Sequence, residues 1–260
     1  MSILEITAIF AISAASILWL VSLAIRDCSI IDIFWAPGFA LLAFVTAWIA
    51  APLDLRAQVT LVLVTIWALR LGMHIFVRWL PKGEDYRYAA MRRKHGPRWW
   101  WWSLFQVFWL QALLLWLISW PLQAAIMGAG EPLDVLDYVG VGIAIAGLLT
   151  EAVADWQLTL FRSDPANKDA VMDRGLWGWS RHPNYFGDAL MWWGFFLLGL
   201  SATGEWVLIL SPAVMTILLL RISGVALMEE TIVKRRPEYA DYIARTSTFI
   251  PLPPKRSKRR

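Results

Sequence analysis

The sequence predicts an all-α protein, a polytopic membrane helical bundle with seven transmembrane helices. Three observations predict it. The first is composition: 58% of the 260 residues are hydrophobic and 17% are charged, against about 25% charged in a soluble domain. The second is length, because the apolar runs approach the roughly 20 residues that cross a bilayer. The third is a one-sided distribution of Lys and Arg. A barrel would need short alternating strands instead. Trp occurs 18 times and mean hydropathy is +0.54, which suits a chain with two membrane–water boundaries.

The spans fall at 3–25, 33–51, 58–80, 101–127, 135–160, 185–201 and 206–228. The first has no basic segment before it and no clear cleavage site, so it reads as a span and not as a signal peptide. The second and third are joined by a short loop containing Pro52. The fourth begins within the run Trp99-Trp100-Trp101-Trp102, an aromatic belt beside Arg98. The fifth contains Gly140, Gly142 and Gly147, small residues that let helices approach closely. The sixth and seventh are separated only by Ala202-Thr203-Gly204-Glu205. Arg236 to Tyr242 reads as a short surface helix, and Pro251 to Pro254 ends ordered structure. The chain reads as one integral membrane domain over 1–254, with its chemistry in 151–251 and a basic tail at 255–260.

Charge sets the orientation. Basic residues crowd the loops after spans one, three and five and the C-terminal segment, from Arg26 and Lys82 through Arg98, Arg162 and Arg181 to Arg260. The opposite loops hold only Arg56. The N-terminus is therefore expected outside and the C-terminus in the cytosol, as in a bacterial inner-membrane protein. The net charge of +4 belongs to topology, and no nucleic-acid partner is expected. The tail Lys255 to Arg260 can also hold anionic headgroups. Cys28 is the single cysteine, which excludes an internal disulfide and a Cys-based metal site. His74, His95 and His182 are too scattered for zinc. Gly140-Val141-Gly142 is no dinucleotide fingerprint, and the chain has no P-loop.

Charges inside spans are costly. Arg70, Glu151, Asp155, Asp188, Arg221, Glu229 and Glu230 lie within or at the edge of spans, mostly in the cytosolic half, with Asp32 and His74 beside them. Snorkelling and ion pairs account for Arg78 and part of Glu229 and Glu230. The deeper groups point to a cavity open to the cytosol. Between spans five and six run Asp155, Arg162, Lys168, Arg174, Trp179, Arg181, His182, Asn184, Tyr185 and Asp188. Arg and Lys suit phosphate oxygens. Asp and Asn suit ribose hydroxyls or a carboxamide, and Trp and Tyr rings can stack on a base. Asn184 and Asp188 are four apart and share a helix face.

The stretch Gly175-Leu176-Trp177-Gly178-Trp179-Ser180-Arg181-His182-Pro183-Asn184-Tyr185-Phe186-Gly187-Asp188 resembles the C-terminal signature of the membrane steroid 5α-reductases and sterol C14-reductases. Asp155, Arg162 and the closing stretch from Glu229 to Pro251 match it in spacing. Gly83-Glu84-Asp85-Tyr86-Arg87-Tyr88 resembles bacterial members of the same broad family. The resemblance implies a seven-helix reductase with NADPH in a cytosol-facing cavity. It implies that Asp155, Arg162, Asn184 and Asp188 contact the nucleotide, with Arg181, His182, Tyr185, Arg221 and Glu230 as further contacts. The animal enzymes carry Gln-Glu on span two and Tyr on span three. Here Asp32, preceded by Ile31, stands for the Glu, and the Tyr position falls near Trp67.

The implied reaction is NADPH-dependent reduction of a carbon–carbon double bond conjugated to a ketone, in a steroid-like lipophilic substrate reaching the site from the bilayer. Asp32 orients or supplies the proton donor, with Tyr86 and His74 as further donors. Two rivals stand beside it. Isoprenylcysteine and phospholipid methyltransferases, which use S-adenosylmethionine, share the Arg-His-Pro-x-Tyr-x-Gly turn and a late Glu-Glu pair. A non-enzymatic lipid-binding protein would need neither nucleotide.

Overall fold

The computed structural model describes residues 1–80, 83–128, 130, 132–222 and 238–255. These residues are helical almost throughout: α1 (Ile3–Ile25), α2 (Ile30–Ala50), α3 (Leu55–Trp79), α4 (Tyr86–His95), α5 (Trp99–Ser103), a π-helical stretch (Leu104–Trp109), α6 (Leu110–Ile118), α7 (Trp120–Met127), α8 (Val135–Ser163), α9 (Pro183–Thr203), α10 (Leu210–Ile217), a second π-helical stretch (Leu218–Ile222) and α11 (Tyr239–Arg245). Five helical runs are long and apolar enough to cross a membrane: α1, α2, α3, the composite Tyr86–Ile118 and α8. The seven-span expectation is met to that extent. Its sixth span corresponds to α9. The seventh corresponds to the shorter apolar stretch Trp206–Arg221, and residues 223–228 lie outside the described residues.

The fourth span departs from expectation in a definite way. It was predicted as one segment over 101–127, but the helix stops at Ile118 and α7 begins at Trp120, with Pro121 in its first turn. Proline has no N–H to give the preceding turn and clashes with it, so it starts helices more readily than it continues them.

The chain divides into two compact units. The first comprises Met1–Asp137 and Leu198–Leu208, the second Tyr138–Leu197 and Ile209–Arg260. In the first unit α2 packs most extensively on α3, and both meet α7. Phe39, Leu42, Val64, Trp67, Phe108, Ile118 and Leu122 fill the interior. Ser2 opens α1 with a capping box: its hydroxyl accepts from Glu5 N–H, and Glu5 accepts from Ser2 N–H at 2.8 Å. Two of the helix's otherwise unpaired donors are satisfied this way. Many large apolar side chains, such as Ile12, Ile17, Leu20 and Leu69, point outward, as a hydrocarbon solvent allows.

Arg56 is the second departure. The sequence places it in the loop between spans two and three, yet it sits in the first turn of α3, 2% exposed, with its guanidinium forked onto both oxygens of Asp137 at 2.7 and 2.8 Å. Gly128 O and Ser201 Oγ take further guanidinium hydrogens. Asp54 caps the same helix through Ala57 N–H. A bidentate pair of this kind suits a buried arginine, because four of its five N–H donors find acceptors.

In the second unit α8 and α9 approach backbone to backbone. A Cβ on Gly187 would lie 2.5 Å from the Glu151 nitrogen, and one on Gly194 would lie 2.6 Å from the Ala144 nitrogen. Gly147 answers from α8 against the Gly187 carbonyl and Met191. The expected close approach at the glycines of span five is present, although Gly142 itself faces open space. Substituting Gly187→Val should cost about 1–3 kcal/mol by overpacking and lower the melting temperature of the detergent-solubilised protein. Gly142→Ala should leave it unchanged or raise it slightly. Equal melting of Gly187→Val and the parent chain would disprove the contact.

Candidate functional site

Two polar centres stand out, one in each unit. The centre of the second unit follows from the glycine contact just described. With α8 and α9 that close, Asn184 on the first turn of α9 reaches Asp155 on α8, and its amide donates to the carboxylate at 3.0 Å. Asp155 and Asp188 are buried, and Glu151 is buried one turn before Asp155. The Asn184 carbonyl oxygen is buried with no hydrogen-bond partner among the described residues. A buried amide oxygen left this way suits a donor supplied by a ligand.

The turn before α9 is held by the chain's C-terminal segment. Arg181 is 6% exposed, and its guanidinium donates to the carbonyls of Thr246 (2.6 Å) and Ile243 (3.2 Å) and to the Thr248 hydroxyl (2.9 Å). Arg181 N–H donates to Ser247 O at 2.8 Å, and Leu252 N–H to Trp179 O at 3.0 Å. Ser180 Oγ donates to Phe249 O. Tyr242 is buried, and its hydroxyl donates to the Trp177 carbonyl. Burial, with Tyr239 beside it, pushes the Tyr242 phenol above its ordinary range. Arg245 pairs with Asp173. On the α8 side, Gly175 adopts φ 58° directly against the Gln157 amide, whose oxygen accepts from Leu176 N–H at 3.0 Å. Only glycine takes that conformation with no Cβ penalty.

The other residues expected at a nucleotide are distributed as follows. Arg162, Lys168 and Arg174 are exposed at the end of α8 and in the loop after it. Trp179 is half exposed. The His182 ring is buried and stacks on Tyr185, centroids 5.7 Å apart and planes within 5°. Arg221 is exposed in the second π-helical stretch, and Glu230 lies outside the described residues, as does Glu229. Arg181 is therefore set apart from the exposed cations, since its donors go to the 243–248 segment.

The centre of the first unit surrounds Asp32. Tyr88 Oη donates to Asp32 at 2.6 Å, Arg87 donates to its other oxygen at 2.7 Å, and the Gln111 amide donates to Tyr88 Oη at 3.2 Å. The Gly83–Tyr88 motif builds this centre. Glu84 accepts from Cys28 N–H and pairs with Arg92 at 2.6 Å. Asp85 N–H donates to Ser29 Oγ at 2.7 Å, and the Asp85 carboxylate caps α4 through Arg87 N–H. Burial works against the Asp85 carboxylate, but the hydrogen bonds from Arg87 outweigh it and hold it below the usual range. Burial, with Glu84 beside it, pushes the Cys28 thiol up to about 11, which leaves it inert near neutral pH.

Tyr86 is 63% exposed, whereas Tyr88 is 5% exposed and holds Asp32. Two residues apart on a helix means about 200° of rotation, so only one of the two rings can face inward. His74 is half-buried on α3. Trp67, at the expected Tyr position, is fully buried against Phe39 at 5.8 Å.

A family model described as "Protein of unknown function (DUF1295)" matches residues 18–246. The chain belongs to the DUF1295 family. DUF1295 is a steroid 5α-reductase-like family, so the coarser part of the resemblance read from residues 175–188 holds. A fission-yeast relative (Schizosaccharomyces pombe), "Uncharacterized protein C594.04c", is 26% identical over 215 residues, covering 72% of this DUF1295 chain and 62% of the yeast protein. The chain thus spans less than two thirds of that relative's length. No solved structure matches.

Tyr242→Phe should leave the Trp177 carbonyl buried without its donor. That costs about 1–3 kcal/mol and should lower the melting temperature in detergent. Melting unchanged from the parent chain would show that the bond carries no weight.

Proposed function

We propose that this protein is an integral membrane enzyme that reduces, with NADPH, the double bond of a lipophilic enone such as a Δ4-3-oxosteroid. The observation that carries the reading is the Asn184–Asp155 pair. It presents a buried amide oxygen awaiting a donor, on the same α8–loop–α9 segment as three exposed cations. DUF1295 membership supports it.

In this reading Asn184 and Asp155 hold the polar groups of the nucleotide, with Asp188 on the same face of α9. Arg162, Lys168 and Arg174 meet its phosphates. Trp179 offers a ring face to the base, and Arg221 is a further phosphate contact. Arg181 and His182 act by fixing the turn, as a positioning pair. NADPH would supply the hydride that goes to the β-carbon of the enone.

The protein's part in the chemistry is acid catalysis. As hydride arrives, negative charge builds on the ketone oxygen, and a donor placed there lowers the barrier. Tyr88 is the donor in this reading, in place of Tyr86. Its one O–H is held on Asp32 in the free protein, with Gln111 and Arg87 fixing the pair, and would turn to the ketone oxygen once substrate is bound. Asp32 orients the phenol, and the enolate then takes a proton from water at its α-carbon. His74 is a reserve donor. We place the protein in a bacterial inner membrane with its C-terminus in the cytosol, on the strength of the basic loops.

The nucleotide arm is tested by fluorescence titration of the purified protein. Asn184→Ala and Arg162→Ala should each raise the NADPH Kd about ten- to a hundredfold, and NADPH should bind more tightly than NADH. Wild-type affinity in both variants would remove the nucleotide reading. Saturable binding of S-adenosylmethionine with none of NADPH would replace it with the methyltransferase.

The acid is tested separately. Tyr88→Phe should keep NADPH affinity and lose about 10²–10⁴-fold in reduction of testosterone or progesterone. Full turnover in that variant would move the donor to His74 or Tyr86.

A further inference from the structure

We infer that the turn between α4 and α5 is a binding site for one anionic phospholipid of the leaflet it faces. The headgroup sits on Arg93, Lys94 and Arg98, and one acyl chain lies along the exposed aromatic ladder that follows. None of Arg93, Lys94 and Arg98 takes part in either polar centre described above.

The charge is uncompensated. From Tyr86 to Gly130 the sequence contains no Asp or Glu. Arg93, Lys94 and Arg98 are exposed and have no side-chain partner among the described residues. Arg92, their neighbour, is already paired with Glu84. Three cations within six residues match the phosphodiester of an anionic lipid, and not a neutral zwitterion.

The turn that carries them is built, not loose. Gly96 closes α4 at φ 52° and donates its N–H to Arg92 O. The three residues Gly96–Arg98 form one 3₁₀ turn, closed by Trp99 N–H onto Gly96 O. His95 stacks on both Trp102, at 4.9 Å, and Trp99, at 6.0 Å. Trp99 is buried, and Arg92 lies over its ring. Trp19 of α1 fastens the other side, donating to Trp100 O at 2.8 Å and stacking on its ring.

The apolar half of the ligand has a matching track. Trp101, Phe105, Trp109 and Leu113 recur every four residues, and all four are exposed. Their rings contact edge to face in sequence, Trp101 with Phe105 at 6.4 Å and Phe105 with Trp109 at 4.9 Å. Trp109 is pinned by a hydrogen bond to Ser16 at 3.0 Å. Arg98 is three residues before Trp101, so it shares this face. Trp101 to Leu113 covers about 18 Å of helix, close to the roughly 15 Å half-thickness of the hydrocarbon core. A simple aromatic belt would gather its rings at one depth; this one descends. A ladder leading down from a cationic turn has the outline of a phospholipid.

The test is native mass spectrometry of the full chain released from mixed phosphatidylglycerol and phosphatidylcholine micelles. The parent chain should retain one phosphatidylglycerol in preference to phosphatidylcholine. The triple variant Arg93→Gln, Lys94→Gln, Arg98→Gln should weaken that preference by on the order of a hundredfold, each basic group contributing about fivefold. Phe105→Ala should shorten retention of both lipids. A charge-matched control, Arg256→Gln, Lys258→Gln, Arg259→Gln, should keep the preference. Equal loss in the control would mean diffuse attraction and would overturn the site, as would an unchanged preference in the triple variant.

Discussion

The architecture of the second unit depends on one contact, the meeting of α8 and α9 at backbone distance through Gly147, Gly187 and Gly194. In hydrocarbon, apolar side chains gain little by leaving lipid for another helix, so association rests on close packing and on polar bonds that closeness permits. Both are present. The glycines remove the side chains that would hold the helices apart. The Asn184 amide can then reach Asp155 at 3.0 Å, a bond that wider spacing would break. A carboxylate at this depth has few alternatives to a partner on the next helix.

The first unit solves the same problem by a different route. Its deep charges are satisfied by forks and relays in place of helix proximity. Arg56 and Asp137 share two hydrogen bonds, and Asp32 is shared between a phenol and a guanidinium. Breaking the Arg56–Asp137 fork would strand a fully buried charge. The short Gly83–Tyr88 motif contributes to nearly every bond around Asp32, which explains why so polar a hexapeptide sits beside an apolar bundle.

Much of this was legible in the sequence because periodicity and composition report solvent, and the solvent here is lipid. The helices α1, α2, α3 and α8 follow directly from apolar run length. The Asn184 and Asp155 pairing was approachable from helical spacing and motif resemblance. What escaped is long-range. Nothing local says that Arg56 will bury itself against Asp137, 81 residues away, because an arginine at a span edge reads as a topology signal. Arg181 belonged to a motif rich in ligand-binding types, yet its partners lie some sixty residues further on. That Tyr88 and not Tyr86 faces Asp32 depends on the rotation of α4, which the hexapeptide alone does not fix. The break at Ser119 was readable from Pro121 alone, but it was masked by uniform hydrophobicity on both sides.

The dependence of the 177–184 turn on Arg181, Tyr242 and the 243–252 backbone also orders events during biosynthesis. Translation proceeds from the N-terminus, so α8 and α9 can insert while the residues that close the turn between them are still unmade. The guanidinium of Arg181 must wait, hydrated, until the chain through Leu252 has cleared the ribosomal exit. The signature segment therefore closes only after the residues through Leu252 have been made. A ribosome that stalls before Leu252 leaves behind a chain whose turn cannot form. Such a chain would display Arg181 and the bare Trp177 carbonyl to quality-control proteases on the side where the turn lies.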